Sequence, residues 1–144
     1  MCSNTISGTV PLIVLEELKF DIARDAPPYI LDTRTYEEFE VSHIPNAIWV
    51  GYENFDLDRV AAINKTEKII VYCSIGYRSE KIGEQLIKGG FSWVRNLEGG
   101  IFNWSNCGNI LQDINDHPTT NVHGFDQEWS QWLNDSSLII IQNK

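Results

Sequence analysis

Short unbroken apolar runs alternate along this chain with segments in which apolar residues recur every three or four positions. Unbroken runs predict buried strands, and the spaced segments predict amphipathic helices. The runs that predict strands are residues 29–31, 47–50, 68–72 and 93–97. The segments that predict helices are residues 14–23, 36–39, 57–63, 79–88 and 99–104. Strands without polar alternation, separated by helices, predict an α/β fold with a mainly parallel sheet covered on both faces.

A cysteine stands where one predicted strand ends and one predicted helix begins. The run at 68–72 leads directly into the loop Cys73-Ser74-Ile75-Gly76-Tyr77-Arg78-Ser79. Backbone N–H groups at the start of a helix lack partners within the helix, and they stabilise an anion. Gly76 permits a curl of the backbone that turns N–H groups inward, and Arg78 adds a cation. We therefore predict that Cys73 is a reactive thiolate, with a buried structural cysteine as the alternative.

Asp32 is expected at the same edge of the sheet as Cys73, because each follows the end of a predicted parallel strand. Sheets of this type bind ligands at that edge. We interpret Asp32 as a residue that braces a turn rather than as a catalytic carboxylate. Arg34 is expected to pair with one of the acids that follow it: Glu37, Glu38 or Glu40.

The remaining histidines and cysteines predict no second chemical centre. His43 lies in a connection before a strand, and we interpret it as a hydrogen-bonded structural residue rather than as a base for Cys73. His117 and His123 have no cysteine or carboxylate at ligand spacing, so neither a metal nor another cofactor is expected. Cys107 would suit a redox mechanism as a resolving thiol. The sequence favours a partly buried thiol in a turn, and no role is expected for Cys2.

Composition and charge limit the partners. The chain has 144 residues, a net charge of −9 and 42% apolar residues, which predicts one folded domain without affinity for nucleic acid or an anionic membrane. Residues 65–95 carry six bases and three acids, a local bias that favours a small anionic substrate. Three cysteines, an odd number, favour a reducing compartment. No transmembrane or signal-peptide pattern is found, so a cytoplasmic location is expected, with an already removed signal peptide as the alternative.

Four blocks of sequence, taken in order, resemble the rhodanese homology domain. They are residues 31–34, 38–47, 72–79 and 97–104. The resemblance covers about residues 10–108, and residues 109–144 would be a C-terminal extension packed on this domain or trailing it. It implies a three-layer α/β fold, with about five mainly parallel strands and helices on both faces. The loop has Arg78 as its only charged residue, whereas members that use thiosulfate often have more basic loops.

The resemblance also implies sulfur transfer through a persulfide on Cys73. The thiolate would attack the sulfane sulfur of a small anionic donor such as thiosulfate, and a thiol, cyanide or a protein acceptor would then remove that sulfur. The transferred sulfur would be bound by the backbone of Ser74, Ile75, Gly76, Tyr77 and Ser79. Arg78 would position the donor or hold the loop, and Asp32 would support the loop. A monomer or a weak homodimer is expected.

Loop length separates this chemistry from phosphate chemistry. Four residues lie between Cys73 and Arg78. Cysteine phosphatases that resemble this fold have five, which widens the loop for a tetrahedral phosphate. The shorter loop therefore favours a sulfurtransferase over a phosphatase or an arsenate reductase. A module that carries persulfide or binds a partner without turnover remains an alternative.

Overall fold

A five-stranded parallel sheet forms the centre of the protein, in a computed structural model that describes residues 9–124, 133 and 138–141. Its strands are Leu12–Ile13 (β1), Tyr29–Asp32 (β2), Ile48–Trp49 (β3), Ile69–Tyr72 (β4) and Val94–Leu97 (β5). Their order in the sheet is β1-β5-β4-β2-β3, and every neighbouring pair is parallel. β4 is central and buried along its whole length, which explains its unbroken apolar sequence.

Helices cover both faces of the sheet. They are Leu15–Ile22 (α1), Tyr36–Val41 (α2), Tyr77–Lys88 (α3) and Gly100–Asn106 (α4), with a 3-10 helix at Leu57–Val60. Side chains of a strand point alternately to the two faces. Ile70 of β4 accordingly packs in one apolar cluster with residues of α1 and α4, and Val71 packs in a second cluster with residues of α3. The predicted α/β fold, with a parallel sheet between two layers of helices, is confirmed.

The structure differs from the sequence prediction at β1 and at the start of α3. β1 was not predicted, because Leu12–Ile13 is too short to give a pattern. α3 begins at Tyr77 rather than at residue 79. Its N-cap is Gly76, whose φ of 126° lies in the left-handed region that favours glycine, so the chain changes direction there and the helix starts directly.

The described part of the chain beyond α4 packs against the same domain. Leu111–Gln112 (β6) pairs antiparallel with Pro118–Thr119 (β7), and Asn121–His123 (β8) pairs parallel with Ile139–Ile141 (β9). The core cluster on the α1 and α4 side includes three of these later residues: Leu111, Val122 and Leu133. Cys2 lies outside the described residues. No helix in the described part is both long and apolar enough to cross a membrane.

Candidate active site

Cys73 directly follows β4 at the carboxyl edge of the sheet, and its side chain is 1% exposed. Its Sγ atom accepts a hydrogen bond from the Gly76 N–H at 3.0 Å and lies 3.4 Å from the Ser79 hydroxyl. The first hydrogen bond within α3 runs from the Glu80 N–H to the Gly76 carbonyl. The N–H groups of the turn before it therefore have no partner within the helix, and the positive end of a twelve-residue helix lies beside the sulfur. The Gly76 N–H and this helix end are the groups that can donate to a charged atom at the position of the sulfur.

The start of α4 holds the cysteine loop through two backbone hydrogen bonds. The N–H groups of Ile101 and Phe102 donate to the carbonyls of Cys73 and Ser74 at 2.9 and 3.0 Å. Gly100 makes this close approach possible, because a Cβ there would lie 2.5 Å from each of those carbonyl oxygens. From the sequence, Gly99 and Gly100 were interpreted only as the start of the helix predicted at residues 99–104. Two adjacent glycines opening a helix were the signal for a close backbone contact.

Asn96 of β5 fixes the orientation of the Ser79 hydroxyl. The Asn96 amide nitrogen lies 3.1 Å from the Gly76 carbonyl and 3.5 Å from a Glu80 carboxylate oxygen, both of which only accept hydrogen bonds. The Asn96 amide oxygen therefore faces Ser79, and it is the nearest acceptor for the Ser79 proton at 2.6 Å. The Ser79 oxygen then presents its lone pairs to Cys73. Sequence reasoning missed Asn96, since a single Asn in a strand gives no distinctive signal.

Arg78 forms a double hydrogen bond with Glu38 of α2. Its Nη1 and Nη2 atoms donate to the two carboxylate oxygens at 2.8 and 3.1 Å, and Nη2 also donates to the Ser74 hydroxyl at 3.0 Å. Glu38 is fully buried. Burial alone would raise the pKa of its carboxyl, but the hydrogen bonds and charge of Arg78 hold that pKa at about 2. Glu38 is therefore ionised at neutral pH and offsets the charge of Arg78.

From the sequence, Arg78 was identified as a cation beside Cys73, and the structure places the Glu38 carboxylate against that charge. Burial lowers the pKa of Arg78, and the Glu38 carboxylate and the nearby Cys73 sulfur outweigh that effect and raise it. Of the two roles predicted for Arg78, its contacts with Glu38 and Ser74 fit the holding of the loop. Sequence reasoning missed Glu38 as a site residue. The signal was the capping box of α2, in which the Thr35 hydroxyl accepts from the Glu38 N–H while the Glu38 carboxylate accepts from the Thr35 N–H.

Asp32 is linked to the loop through Tyr72, the residue before Cys73. Its buried carboxylate pairs with Arg34 at 2.6 Å and accepts a hydrogen bond from the Tyr72 hydroxyl at 2.5 Å. The expected pairing of Arg34 with an acid of α2 is wrong, because the Asp32 carboxylate lies two residues away in the same turn. Burial, and then the charge of Asp32, raise the pKa of the Tyr72 hydroxyl well above its ordinary value.

His43 and Cys107 lie in structural positions. The His43 Nδ1 atom donates to the Phe39 carbonyl at 3.1 Å, and the His43 ring stacks on the Phe39 ring. Cys107 is exposed, not partly buried as expected. It follows the last residue of α4, while the first residue of α4 contacts the loop, so it lies on the order of 10 Å along the helix from the loop. Among the described residues, no group of three or more His, Cys, Asp or Glu could hold a metal ion.

An open cleft of about 440 Å³ lies beside Arg78. Two arginines, three aromatic side chains, one acid and one threonine line it: Arg34, Thr35, Tyr36, Trp49, Tyr52, Glu53 and Arg78. The Trp49 indole donates to the Arg34 carbonyl at 2.8 Å, and the guanidinium of Arg59 lies 5.2 Å from the centre of the Trp49 ring. The Tyr36 ring meets the Trp49 ring edge-on, with 5.3 Å between their centres. We call Tyr36, Trp49 and Tyr52 the aromatic wall of the cleft. Contacts with Arg34, Arg59 and Tyr36 hold the Trp49 ring in place.

The family model of the rhodanese-like domain matches residues 14–107, from α1 to the end of α4. The chain belongs to this family. A rhodanese-like domain protein from Staphylococcus aureus, solved as a crystal structure, is 33% identical with a TM-score of 0.64, over 72% of this chain and 98% of that one. The rhodanese-like character of the fold, inferred from four sequence blocks, is thereby confirmed.

Two longer relatives of this rhodanese-like chain match over part of their length. A Bacillus subtilis protein, "Putative sulfur carrier protein YrkF", is 31% identical over 103 residues, which are 72% of this chain and 55% of that protein. A tRNA uridine(34) hydroxylase from Photorhabdus laumondii is 38% identical over 80 residues, which are 52% of this chain and 23% of that protein. The chain thus spans about half of the first relative and about a quarter of the second.

Proposed function

We propose that this rhodanese-like chain is a sulfurtransferase that carries the transferred sulfur as a persulfide on Cys73. The observation that carries the proposal is the position of the Cys73 Sγ atom, 3.0 Å from the Gly76 N–H at the start of α3. A persulfide extends the side chain by one sulfur atom and places its negative charge on that outer atom. The Gly76 N–H and the positive end of α3 would stabilise that charge.

The reaction needs two exchanges at sulfur. With thiosulfate as donor, the Cys73 thiolate attacks the sulfane sulfur, the bond between the two sulfur atoms of thiosulfate breaks, and sulfite leaves with the electron pair. A thiolate or cyanide then attacks the outer sulfur of the persulfide, and the Cys73 thiolate is restored. No external oxidant or reductant is consumed. This is covalent catalysis with a cysteine nucleophile.

The second candidate is a sulfur carrier that accepts sulfur but does not turn over with small acceptors. The name of the B. subtilis relative favours this alternative. The burial of Cys73 also fits it, because a small acceptor must reach a side chain that is 1% exposed. Both candidates need the same persulfide and differ in its release. A protein thiol as the acceptor is compatible with each.

Turnover separates the two candidates. Thiocyanate formation is measured with a sulfane-sulfur donor and cyanide, for the native chain and for Cys73→Ser. A sulfurtransferase forms many thiocyanate molecules per chain and the variant forms none. One equivalent of thiocyanate per native chain, with no further turnover and none from Cys73→Ser, would identify a carrier. Phosphate release from an aryl phosphate that depends on Cys73 would overturn both in favour of a phosphatase.

A further inference from the structure

The cleft lined by Tyr36, Trp49 and Tyr52 is next to the proposed reaction site. Arg78 belongs both to the lining of the cleft and to the loop that holds Cys73. The Arg78 guanidinium also donates to the Ser74 hydroxyl, one residue from the sulfur. A molecule that approaches the loop along Arg78 therefore passes the aromatic wall. Neither the persulfide chemistry nor the support of the loop uses this wall.

The charges around the cleft do not favour a small dianion. The cation of Arg78 is offset by Glu38 at 2.8 Å, and that of Arg34 by Asp32 at 2.6 Å. Glu53 and Arg59 are exposed and of opposite sign. A thiosulfate ion would carry two negative charges into a site whose three cations and three anions already cancel. Backbone N–H groups would then be its main source of stabilisation.

The shape and lining of the cleft suit a larger and less charged molecule. Its volume of about 440 Å³ is within the range of pockets that hold small organic ligands. Aromatic rings stabilise organic groups by offset stacking and by edge contacts. The Tyr36 ring is 46% exposed, so part of it is available to a bound molecule.

We propose that this aromatic cleft binds the organic part of a small sulfur donor or thiol acceptor, so that the chain exchanges sulfur with organic compounds in preference to inorganic thiosulfate. The inference rests on the proposed persulfide function and adds the class of substrate. The same cleft can bind a persulfide donor and a thiol acceptor, because an organic persulfide becomes a thiol once its outer sulfur has moved to Cys73. In that step the thiolate attacks the outer sulfur, the sulfur–sulfur bond of the donor breaks, and the organic thiolate leaves.

Two donors with the same reacting group isolate the contribution of the wall. Methanethiosulfonate and benzenethiosulfonate are both singly charged anions in which the sulfane sulfur is bonded to a sulfonyl group. Each releases a sulfinate when Cys73 takes that sulfur. They differ in the methyl or phenyl group that would reach the cleft. Thiosulfate, the dianion, is measured beside them with cyanide as the acceptor. The measured quantity is the ratio of kcat/KM for the phenyl donor to that for the methyl donor.

Tyr36→Ala is the test variant, and Tyr29→Ala is its matched control. Tyr29 is 38% exposed and is the first residue of β2, at the edge of the sheet opposite the loop. We expect Tyr36→Ala to lower the phenyl-to-methyl ratio about five-fold, through KM. Tyr36→Phe should restore the ratio because it keeps the ring. Tyr29→Ala should leave the ratio within about two-fold of the native value.

The possible outcomes separate this inference from the function on which it rests. Failure of all three donors to form a Cys73 persulfide would overturn the proposed function itself. If a Cys73 persulfide forms but Tyr36→Ala leaves the phenyl-to-methyl ratio unchanged, the proposal that the cleft binds the organic group is wrong, while the proposed sulfur transfer stands. An equal loss for both organic donors would also overturn it, because a general disturbance of α2 would act on both. Unfolding curves of Tyr36→Ala identify such a disturbance.

Discussion

The Arg78 guanidinium donates hydrogen bonds to both carboxylate oxygens of Glu38, at 2.8 and 3.1 Å, and so links the cysteine loop to helix α2. The carboxylate is fully buried, and it also accepts hydrogen bonds from Thr35 in the capping box and from the Ser74 hydroxyl at 3.3 Å. The pair therefore fixes the position of the loop relative to the sheet edge. The side-chain cation of the loop is used inside the protein, and the backbone N–H groups are left as the principal donors to a bound anion.

Removal of Arg78 should destabilise the fold. Arg78→Ala leaves the buried Glu38 carboxylate without its cation, which should lower the free energy of unfolding by about 3 kcal/mol. Lys81→Ala is the control, since Lys81 lies on the same helix and pairs with Glu84 at 4.0 Å on the surface. It should cost less than about 0.5 kcal/mol. Denaturant unfolding measures both, and equal losses would show that Arg78 is not structural.

Acid should remove the stabilisation that comes from Glu38. The pKa of this carboxyl is about 2 in the folded protein against 4.5 as its ordinary value. A carboxyl with a lowered pKa stabilises the fold above its unfolded pKa, and the contribution is lost as the pH falls from about 5 toward 2. Native chain and Glu38→Gln should therefore converge in stability over this range, with a change of about 3 kcal/mol in their difference. Parallel pH profiles of the two proteins would contradict the assignment.

Gly100 and Gly108 allow a matched test of the support behind the loop. Both have positive φ, 58° and 77°, but a Cβ at Gly100 meets the carbonyls of Cys73 and Ser74, while one at Gly108 meets nothing within 4 Å. Gly108→Ala should cost about 1 kcal/mol, from backbone strain alone. Gly100→Ala should cost about 3 kcal/mol and disturb the loop. Unfolding curves give the difference, and equal costs would show that the close contact does not matter.

The hydrogen bond from Ser79 to Asn96 should restrain the reactivity of Cys73. Asn96→Ala removes the nearest acceptor of the Ser79 proton and leaves it the Gly76 carbonyl at 3.1 Å and the Cys73 sulfur at 3.4 Å. A thiolate is the stronger of these two acceptors because it is charged, so alkylation by iodoacetamide at neutral pH should become about five-fold faster. Loosening of the loop could also speed alkylation. The double variant Asn96→Ala/Ser79→Ala controls for this, because it keeps the cavity left by Asn96 and lacks the hydroxyl. A gain that persists in the double variant would contradict the role of Ser79.

Much of the fold was predictable because its strands are buried on both faces. β4 has four consecutive apolar residues, and Thr35, a residue type that caps helices, directly precedes α2. The N-cap of α3 at Gly76 was not predicted, because that helix was expected from residue 79. β1 was not predictable, because a strand of two residues is defined only by its pairing with β5. The 3-10 helix covers Leu57–Val60, shorter than the segment predicted at 57–63.

The loop that carries Cys73 was predictable from the sequence, but the side chains from other elements that hydrogen-bond to it were not. Cys73, Gly76 and Arg78 were identified because their spacing is local. Glu38 lies forty positions from Arg78, and Asn96 seventeen from Ser79. Such partners are selected by the tertiary packing of strands and helices, which sequence spacing does not encode. Glu38 was missed as the partner of Arg78 for that reason.

Intact-mass measurement of a Cys73 persulfide tests the central claim most directly. The native chain is incubated in turn with thiosulfate, methanethiosulfonate and benzenethiosulfonate, and then with cyanide. We predict a gain of one sulfur atom that cyanide removes and that Cys73→Ser does not acquire. A native chain that gains no sulfur from any of these donors, or a Cys73→Ser variant that gains it equally, would contradict the account.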